Sequence, residues 1–354
     1  MVNKIKTMKK ASRSAFVNYA IVIIAFVVLR VMQGQDVLSN SLQSLLVPVC
    51  CYIVLAVSLN LTVGILGELS LGHAGFMSLG AFSGIVASIA LQELIPVALI
   101  RLAVAMVIGG IMGGIGGVII GLPVLRLRGD YLAIVTLAFG EIIKNVVMVL
   151  YVGVDSEGLH VSTDAAGLVL AEGGAAIIKG PMGAVGVPKL ATFTAGFVLV
   201  LVTLVVVQNL VNSRAGRAIQ ALRDNRIAAE SVGISVTAYK LMAFVTSAVL
   251  AGMAGALFGL NYSSTLASKF DFNTSILILV FVVLGGLGNI RGSIIAAALL
   301  YILPELLRNF NISEYRMLIY AIILILVMLV TNNAQLRNMV GKLLPGRKGG
   351  AVDG

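Results

Sequence analysis

The sequence contains no tryptophan, only two cysteines and two histidines, and few charged residues. Of its 354 residues 11% are charged, whereas soluble domains carry about 25%, so a water-soluble core is excluded. Cys50 and Cys51 are adjacent within an apolar run, and His73 and His160 are far apart. These residues do not have the spacing of a metal site. We therefore expect buried, free cysteines and no metal or other cofactor.

Sequence motifs for nucleotide hydrolysis and for proteolysis are also missing. The chain lacks G-x-x-x-x-G-K-[ST], H-E-x-x-H and G-x-S-x-G. The glycine cluster GGLGNIRGS at 285–293 has no lysine before its serine. A self-powered pump and an intramembrane hydrolase are therefore disfavoured, and we do not expect an enzyme.

Long apolar runs dominate what is present. Hydrophobic residues make up 59% of the chain, and the mean hydropathy is +1.05. Apolar stretches of about 17–25 residues indicate membrane-spanning helices. We predict an all-α polytopic membrane protein with about ten such helices, or eight if two glycine-rich segments do not cross. The ten segments are 16–32, 43–63, 67–91, 97–121, 131–151, 191–211, 239–262, 274–288, 291–307 and 315–331.

The distribution of Lys and Arg predicts the orientation of the helices. With both termini in the cytoplasm, 17 of the 25 Lys and Arg residues lie on the cytoplasmic side and 7 on the outer side. The predicted parts are a basic N-terminus (1–15), a transmembrane domain (16–331) and a basic tail (332–354). The first apolar run, 16–32, exceeds the apolar core of a signal peptide, about 7–15 residues, and is expected to remain as a helix. The net charge is +10, and the basic residues that cause it lie in loops between apolar runs. This distribution indicates contact with anionic lipid and no nucleic-acid partner.

Glycines recur every four residues at 109–121, and small residues recur at the same spacing in 248–256. Such a stripe lets two helix backbones approach closely in a membrane, where lipid is as apolar as leucine. We expect these stripes to pack helices together and to carry no chemistry.

The basic segment 212–238 is the most informative part of the chain. Its clustered arginines cannot lie in hydrocarbon, and their positive charge places the segment in the cytoplasm. Asp224 or Asn225 can cap a short helix, and Gly233 suits the position after its end. We favour a helix that docks on a soluble partner, and the alternative is an amphipathic helix on the lipid surface.

Polar residues at membrane depth mark a candidate translocation path. Glu68, Ser70 and His73 lie among glycines in GILGELSLGHAGFMSLGAF (64–82), and Asn60 precedes them. One interpretation is a broken helix that lines the path. The other places Glu68 and His73 near the cytoplasmic mouth, with the glycines only packing. Leu-Gly-x-Leu at 66–69 recurs at 284–287, which is consistent with paired breaks in a repeated fold.

Glu141 is the last candidate of the path. It lies one helical turn before Lys144, and an ion pair between the two reduces the cost of burying each. Internal pairing is the simpler interpretation, and a role in gating is the alternative.

The loop also resembles the coupling loop of permeases in ATP-driven importers, whose pattern is Glu-Ala-Ala-x-x-x-Gly. Ala228, Ala229 and Gly233 keep that spacing, while Ile227 replaces the glutamate. Over most of residues 43–330 the chain resembles the LivM-type permeases of branched-chain amino acid importers. The stretches that carry the resemblance are LSLGHAGFMSLGAF (69–82), LRLRGDYLAIVTLAFGEIIK (125–144), KGPMGAVGVP (179–188), GRAIQALRDNRIAAESVGISVTAYKLMAFVTSAVLAGMAGALFG (216–259) and LVFVVLGGLGNIRGSIIAAALL (279–300).

The resemblance implies a subunit of the bacterial cytoplasmic membrane that carries leucine, isoleucine or valine. It implies three kinds of partner: a LivH-type permease, two ATP-binding subunits that hydrolyse ATP, and an extracytoplasmic binding protein. The residues that it places against the ATPase are Arg217, Arg223, Asp224, Asn225, Ala228, Ala229, Glu230 and Gly233.

Related permeases carry urea, amides or sugars, and these substrates remain alternatives. An ion-coupled secondary transporter would need charges at mid-membrane, which only Glu141 and Lys144 offer. A membrane enzyme or scaffold is the third class, and no catalytic group of residues supports it.

Overall fold

The computed structural model describes the backbone of residues 2–35, 39–125, 127, 129–155, 158–171, 173–308, 321–322 and 325. Side chains are described over the same ranges except for 2–16, 130 and 306–308. Contacts divide the chain into two compact units, Met1–Ala298 and Leu299–Gly354. Every site discussed below lies in the first unit. Of the second, the structure describes the C-terminal part of one helix and residues 321, 322 and 325.

Helices form most of the described chain. They are α1 (Val2–Gly34), α2 (Asn40–Asn60), α3 (His73–Ala90), α4 (Ala98–Val124), α5 (Asp130–Val149), α6 (Phe193–Asn212), α7 (Arg214–Asp224), α8 (Arg226–Ser231), α9 (Val236–Gly259), α10 (Phe272–Gly285) and α11 (Ile290–Arg308). Helix α2 continues directly into a π-helix, Leu61–Leu66.

Eight helical segments among the described residues are long and apolar enough to cross a membrane. They are Val17–Gly34, Asn40–Leu66, His73–Ala90, Ala98–Val124, Tyr131–Val149, Phe193–Asn212, Val236–Gly259 and Ala267–Gly285. This confirms the predicted all-α polytopic fold. The predicted segment 291–307 coincides with α11, which is not one of the eight, and 315–331 lies mostly outside the described residues. Ten spans, the basic tail and the cytoplasmic position of both termini therefore stay predictions.

The core of the first unit is built around α2, α3 and α9. In the most apolar 18 residues of Asn40–Leu66, 94% of the residues are buried. In Val17–Gly34 the buried share is 11%. The predicted small-residue stripes pack α3, α4 and α9 together. A Cβ atom added to Gly80 would lie 2.0 Å from the carbonyl oxygen of Gly252, and one added to Gly252 would lie 2.3 Å from that of Gly109. Only glycine permits these backbone approaches.

A small antiparallel sheet lies mainly between the predicted spans 131–151 and 191–211. Its strands are β1 (Tyr151–Asp155), β2 (Gly158–Ser162), β3 (Ala175–Lys179), β4 (Ala184–Val185) and β5 (Ser264–Thr265), in the order β2-β1-β3-β4-β5. Strand β1 follows α5 and β5 follows α9, so the sheet marks one end of the bundle, here called the sheet end. Helices α7 and α8 mark the other, here called the basic end.

Candidate functional site

Two short helices at the basic end form the predicted docking segment. Asn225 begins α8, and its side-chain oxygen accepts a hydrogen bond from the backbone N–H of Ala228 at 3.0 Å. The chain leaves α8 through Gly233, whose φ of 84° lies in the left-handed region that favours glycine. The sequence-based prediction of a short capped helix is confirmed. Of the two predicted caps, Asn225 is the one used, and Asp224 instead accepts hydrogen bonds from Arg223.

Helix α8 turns one face inward and leaves the other free. Ala229 is 4% exposed and packs in a cluster with Leu222 and Val236. Ala229 thus packs within the segment, and its contact with a partner stays a prediction. In contrast, Ile227 is 81% exposed and Val232 is 74% exposed. The remaining predicted contact residues are also exposed: Arg217, Arg223, Asp224, Asn225, Ala228, Glu230 and Gly233.

Arg223 connects this segment to the transmembrane bundle. Its guanidinium group donates a hydrogen bond to the backbone oxygen of Gly64 at 3.0 Å, within the π-helix that follows α2. Its aliphatic part lies against Gly67, where an added Cβ atom would come 2.6 Å from the Arg223 Cγ atom. Gly67 has a φ of 81° and ends the π-helix. A residue with a side chain would be strained there and would also displace Arg223.

The membrane helix is broken after the π-helix, as the sequence predicts. Residues 67–72 are not helical, and α3 begins at His73 instead of at residue 67. At the start of this stretch Glu68 forms an ion pair with Lys240, near the start of α9. At its end Gly72 packs against Gly140 of α5. Non-helical backbone at this depth is tolerated because it is enclosed by protein.

A second break lies beside the first. Helix α10 ends at Gly285 and α11 begins at Ile290. In the turn between them, the backbone N–H of Gly288 donates to the side-chain oxygen of Asn60 at 2.8 Å. The Asn60 amide nitrogen in turn donates to Ser293 Oγ at 2.9 Å. The two Leu-Gly-x-Leu stretches therefore lie at two breaks that are in contact. The sequence pattern indicates a break at 284–287 but gives no sign of the contacts that Gly288 and Ser293 make with Asn60.

Buried hydroxyl groups and one histidine satisfy each other between α2, α3 and α9. The His73 ring nitrogen Nε2 lies 2.8 Å from Ser58 Oγ, and Thr62 Oγ1 lies 3.3 Å from Ser247 Oγ. Ser247 Oγ also donates to the Ser58 backbone oxygen. Ser70 Oγ is buried and has no hydrogen-bond partner in the described part of the chain. His73 is thus tied to α2, while Ser70 stays a candidate for contact with a solute.

Glu141 follows Gly140, whose backbone packs against Gly72, the residue before His73. Its ion pair with Lys144 is confirmed. Its Oε1 atom also accepts a hydrogen bond from the backbone N–H of Phe272 at 3.1 Å, at the start of α10. Asn60 therefore bonds to the turn before α11 and Glu68 to the start of α9, whereas Glu141 bonds to the start of α10. Among the residues that the structure describes, no three His, Cys, Asp or Glu side chains form a group that could hold a metal ion.

At the basic end, two short helices are thus bonded to a broken membrane helix. Comparison with known proteins identifies the family of the chain. Residues 41–328 match the family described as "Branched-chain amino acid transport system / permease component". The chain belongs to this family. The described residues include eight helical segments suited to span a membrane, so the chain is a multi-pass protein of the bacterial inner membrane.

Individual relatives agree with this assignment. The chain is 35% identical over 292 residues to the LivM permease proteins of Salmonella typhimurium and Escherichia coli, described as parts of a high-affinity branched-chain amino acid transport system. That match covers 78% of this chain but 66% of the LivM proteins, slightly less than two thirds of their length. The ribose import permease RbsC of Haemophilus influenzae is 26% identical, over 79% of this chain and 81% of its own. No solved structure matches the chain at a significant level.

Proposed function

We propose that this chain is a permease subunit of an ATP-driven importer that moves leucine, isoleucine and valine across the inner membrane. The observation that carries the proposal is the contact of Arg223 with Gly64, which joins the exposed helices α7 and α8 to the first break. Through this contact, a soluble partner that moves α7 and α8 would also move the end of the broken helix. Hydrolysis of ATP belongs to that partner in this proposal, because the sequence has no nucleotide-binding loop.

The docking surface consists of the exposed residues of α7 and α8 together with Val232, which follows α8. Ile227 and Val232 offer apolar contact at its centre, and the Arg226–Glu230 pair, 3.5 Å apart, borders them. An apolar centre with a charged rim is typical of a protein interface. A helix of six residues whose one large apolar side chain is Ile227, followed by Val232, offers little area to a lipid surface, which favours docking over the lipid alternative. In this proposal the basic end faces the cytoplasm.

The docking segment is connected to both breaks by direct contacts. Arg223 contacts Gly64, and an added Cβ on Gly64 would lie 2.2 Å from the backbone nitrogen of Gly288. Asn60 bonds to that same nitrogen. A displacement of α7 by the partner would therefore act on the ends of α2 and α10 together. Packed groups with two discrete arrangements transmit such motion better than a flexible loop does.

The proposed partners are a LivH-type permease, two ATP-binding subunits and an extracytoplasmic binding protein, together with membrane lipid. A LivH permease of Escherichia coli is 32% identical to this chain over 118 residues, which supports a pair of related permeases. The LivM names support the amino-acid substrate over sugar, because the sugar permease RbsC is the more distant relative.

Purification of the complex from native membranes tests this proposal. A tag on this chain should recover a second permease and an ATP-binding subunit in mild detergent. The recovered complex, placed in liposomes with its binding protein, should take up leucine only when ATP is present on the side of α7 and α8. Recovery of this chain without an ATPase, or leucine uptake driven by an ion gradient without ATP, would contradict the proposal and favour a secondary transporter.

A further inference from the structure

A cavity of about 320 Å³ lies away from both breaks, between α2, α3, α9 and the segment that leads into α10. Its size falls at the lower end of small-molecule sites, about 300–1,000 Å³. Exposed Ser268 and Lys269 stand at its edge, so it opens to the surface. None of its lining residues takes part in the contacts of the basic end.

One wall of the cavity is apolar and rigid. It is formed by Tyr52, Met77, Phe258 and Phe270. The Tyr52 and Phe258 rings meet edge to face with centroids 6.2 Å apart, and the Phe258 and Phe270 rings do so at 6.1 Å. All four side chains are buried, and Met77 is 1% exposed. Interlocked aromatic rings hold a fixed apolar surface, and methionine adapts to the shape of an aliphatic group.

The remaining lining residues include one positive and one negative charge, Lys269 and Asp271. Asp271 caps α10, where its Oδ1 atom accepts from the Thr274 N–H at 2.9 Å and its Oδ2 atom accepts from the Asn273 side chain at 2.9 Å. Each carboxylate oxygen has a second acceptor position. Lys269 lies over the Tyr262 ring, with its Nζ atom 5.2 Å from the centroid. Of the ion pairs in the described residues, none involves Lys269 or Asp271.

From these observations we propose that the cavity is a binding site for an α-amino acid with an apolar side chain. Asp271 accepts hydrogen bonds from the α-ammonium group, Lys269 faces the α-carboxylate, and the aromatic wall receives the aliphatic side chain. The identification with the transported leucine, isoleucine or valine rests on the function proposed above.

The charges at the rim discriminate between classes of solute. A simple anion would be repelled by Asp271, and a simple cation would be repelled by Lys269, so a zwitterion is favoured over both. A sugar would place hydroxyl groups against the wall of Met77, Phe258 and Phe270, where they find no partner, and each unpaired polar group is costly. Urea would leave most of the apolar wall unfilled.

Protection of an introduced thiol tests the site directly in the purified complex. Ser268→Cys places a thiol at the cavity edge, while native Cys50 and Cys51 are buried and react slowly with a polar maleimide. A control, Ser264→Cys, places a thiol at an exposed position on β5, outside the cavity. With leucine at about ten times its Kd, we expect labelling at 268 to slow about tenfold, in proportion to free sites, and labelling at 264 to stay unchanged.

A second variant shows whether the charges act as proposed. Asp271→Asn keeps a good helix cap but removes the negative charge, so leucine should protect the thiol at 268 much less. If the complex takes up leucine yet leucine never protects position 268, the cavity proposal is wrong and the proposed function stands. If leucine protects it but the complex takes up no leucine, the proposed function fails and the site stands. Protection by glucose or urea in place of leucine would overturn the ligand class.

Discussion

The two ends of the bundle differ in how their charged groups are satisfied. At the basic end Glu68 is paired with Lys240, and Arg223 is bonded to Asp224 and to the Gly64 backbone. At the sheet end Lys269 and Asp271 flank an open cavity and have no ion-pair partner among the described residues. The basic end is held together by its own charged side chains, and the cavity at the sheet end opens to the surface. A transporter that receives its solute at the sheet end and releases it at the basic end needs this asymmetry in one of its states.

The contrast assigns different tasks to residues of similar type. Charge at the basic end holds structural elements together, because its partners belong to the chain itself. At the sheet end Asp155 is paired with His160, but Lys269 and Asp271 have no ion-pair partner among the described residues and are available to a solute. Substitutions at the two ends should therefore affect different measurements, stability and coupling at the first and solute affinity at the second.

The largest effect is expected from breaking the Glu68–Lys240 pair. Lys240 is 5% exposed and Glu68 is 16% exposed, so Lys240→Met leaves a buried carboxylate unpaired. Loss of one partner of a buried pair costs about 3–5 kcal/mol, which should appear as a large fall in the unfolding temperature of the detergent-solubilised complex. The double variant with Glu68→Gln should recover much of it. An unchanged unfolding temperature in the single variant would show that the basic end is not held by this pair.

Gly233→Val is expected to have the next largest effect. A residue with a Cβ atom in the left-handed region costs about 1–2 kcal/mol, and valine is a poor fit there. The end of α8 should shift, so that leucine transported per ATP falls while ATP hydrolysis continues. Gly233→Asn should be milder, since asparagine tolerates this conformation. Equal transport per ATP in all three proteins would argue against α8 as the docking helix.

Loss of the α8 cap is expected to have a smaller effect in the same direction. Asn225→Ala removes the acceptor for the Ala228 N–H, at a cost of about 1 kcal/mol. Asn225→Asp keeps an acceptor and serves as the control. Binding of the ATP-binding subunit, measured by titration in detergent, should weaken for alanine and stay close to the native value for aspartate. The reverse order would mean that the charge at 225 matters more than the cap.

The smallest effect on stability is expected at the sheet end. Lys269 is exposed, so Lys269→Met should change the free energy of unfolding by no more than about 0.5 kcal/mol. It should nevertheless raise the leucine concentration needed for protection in the thiol assay. A stability loss as large as that of Lys240→Met would remove the distinction between the two ends.

The sequence predicts the fold where local pattern decides it. The apolar runs predict most spans, and the stripe around Gly109 predicts the packing of α4 against α9. The cap at Asn225 and the end at Gly233 are also local features. By contrast, the sheet forms from strands as distant as β1 and β5, with few residues in each. Strand β5 has only two residues, which is too short for an alternating pattern of apolar and polar residues to be recognised.

The candidate site was predictable only in its parts. Glu68, Asn60 and Arg223 stand out as polar residues next to apolar runs, but their partners are Lys240, Gly288 and Gly64. These partners lie far away in the chain, and two of them act through backbone atoms that any residue type has. The cavity is harder still to foresee, because its residues come from four elements and each has an ordinary structural interpretation alone.

Coupling through Arg223 is the central claim, and transport per ATP in the reconstituted complex tests it most directly. Arg223→Met keeps much of the aliphatic contact with Gly67 and removes the bond to Gly64. A hydrogen bond from a charged group is worth about 1.5–3 kcal/mol, so the ratio of leucine transported to ATP hydrolysed should fall about tenfold or more. Arg30→Met, at an exposed position of α1 that lies outside the docking surface and bonds to Gln33, should leave that ratio close to native. An unchanged ratio in Arg223→Met would contradict the account.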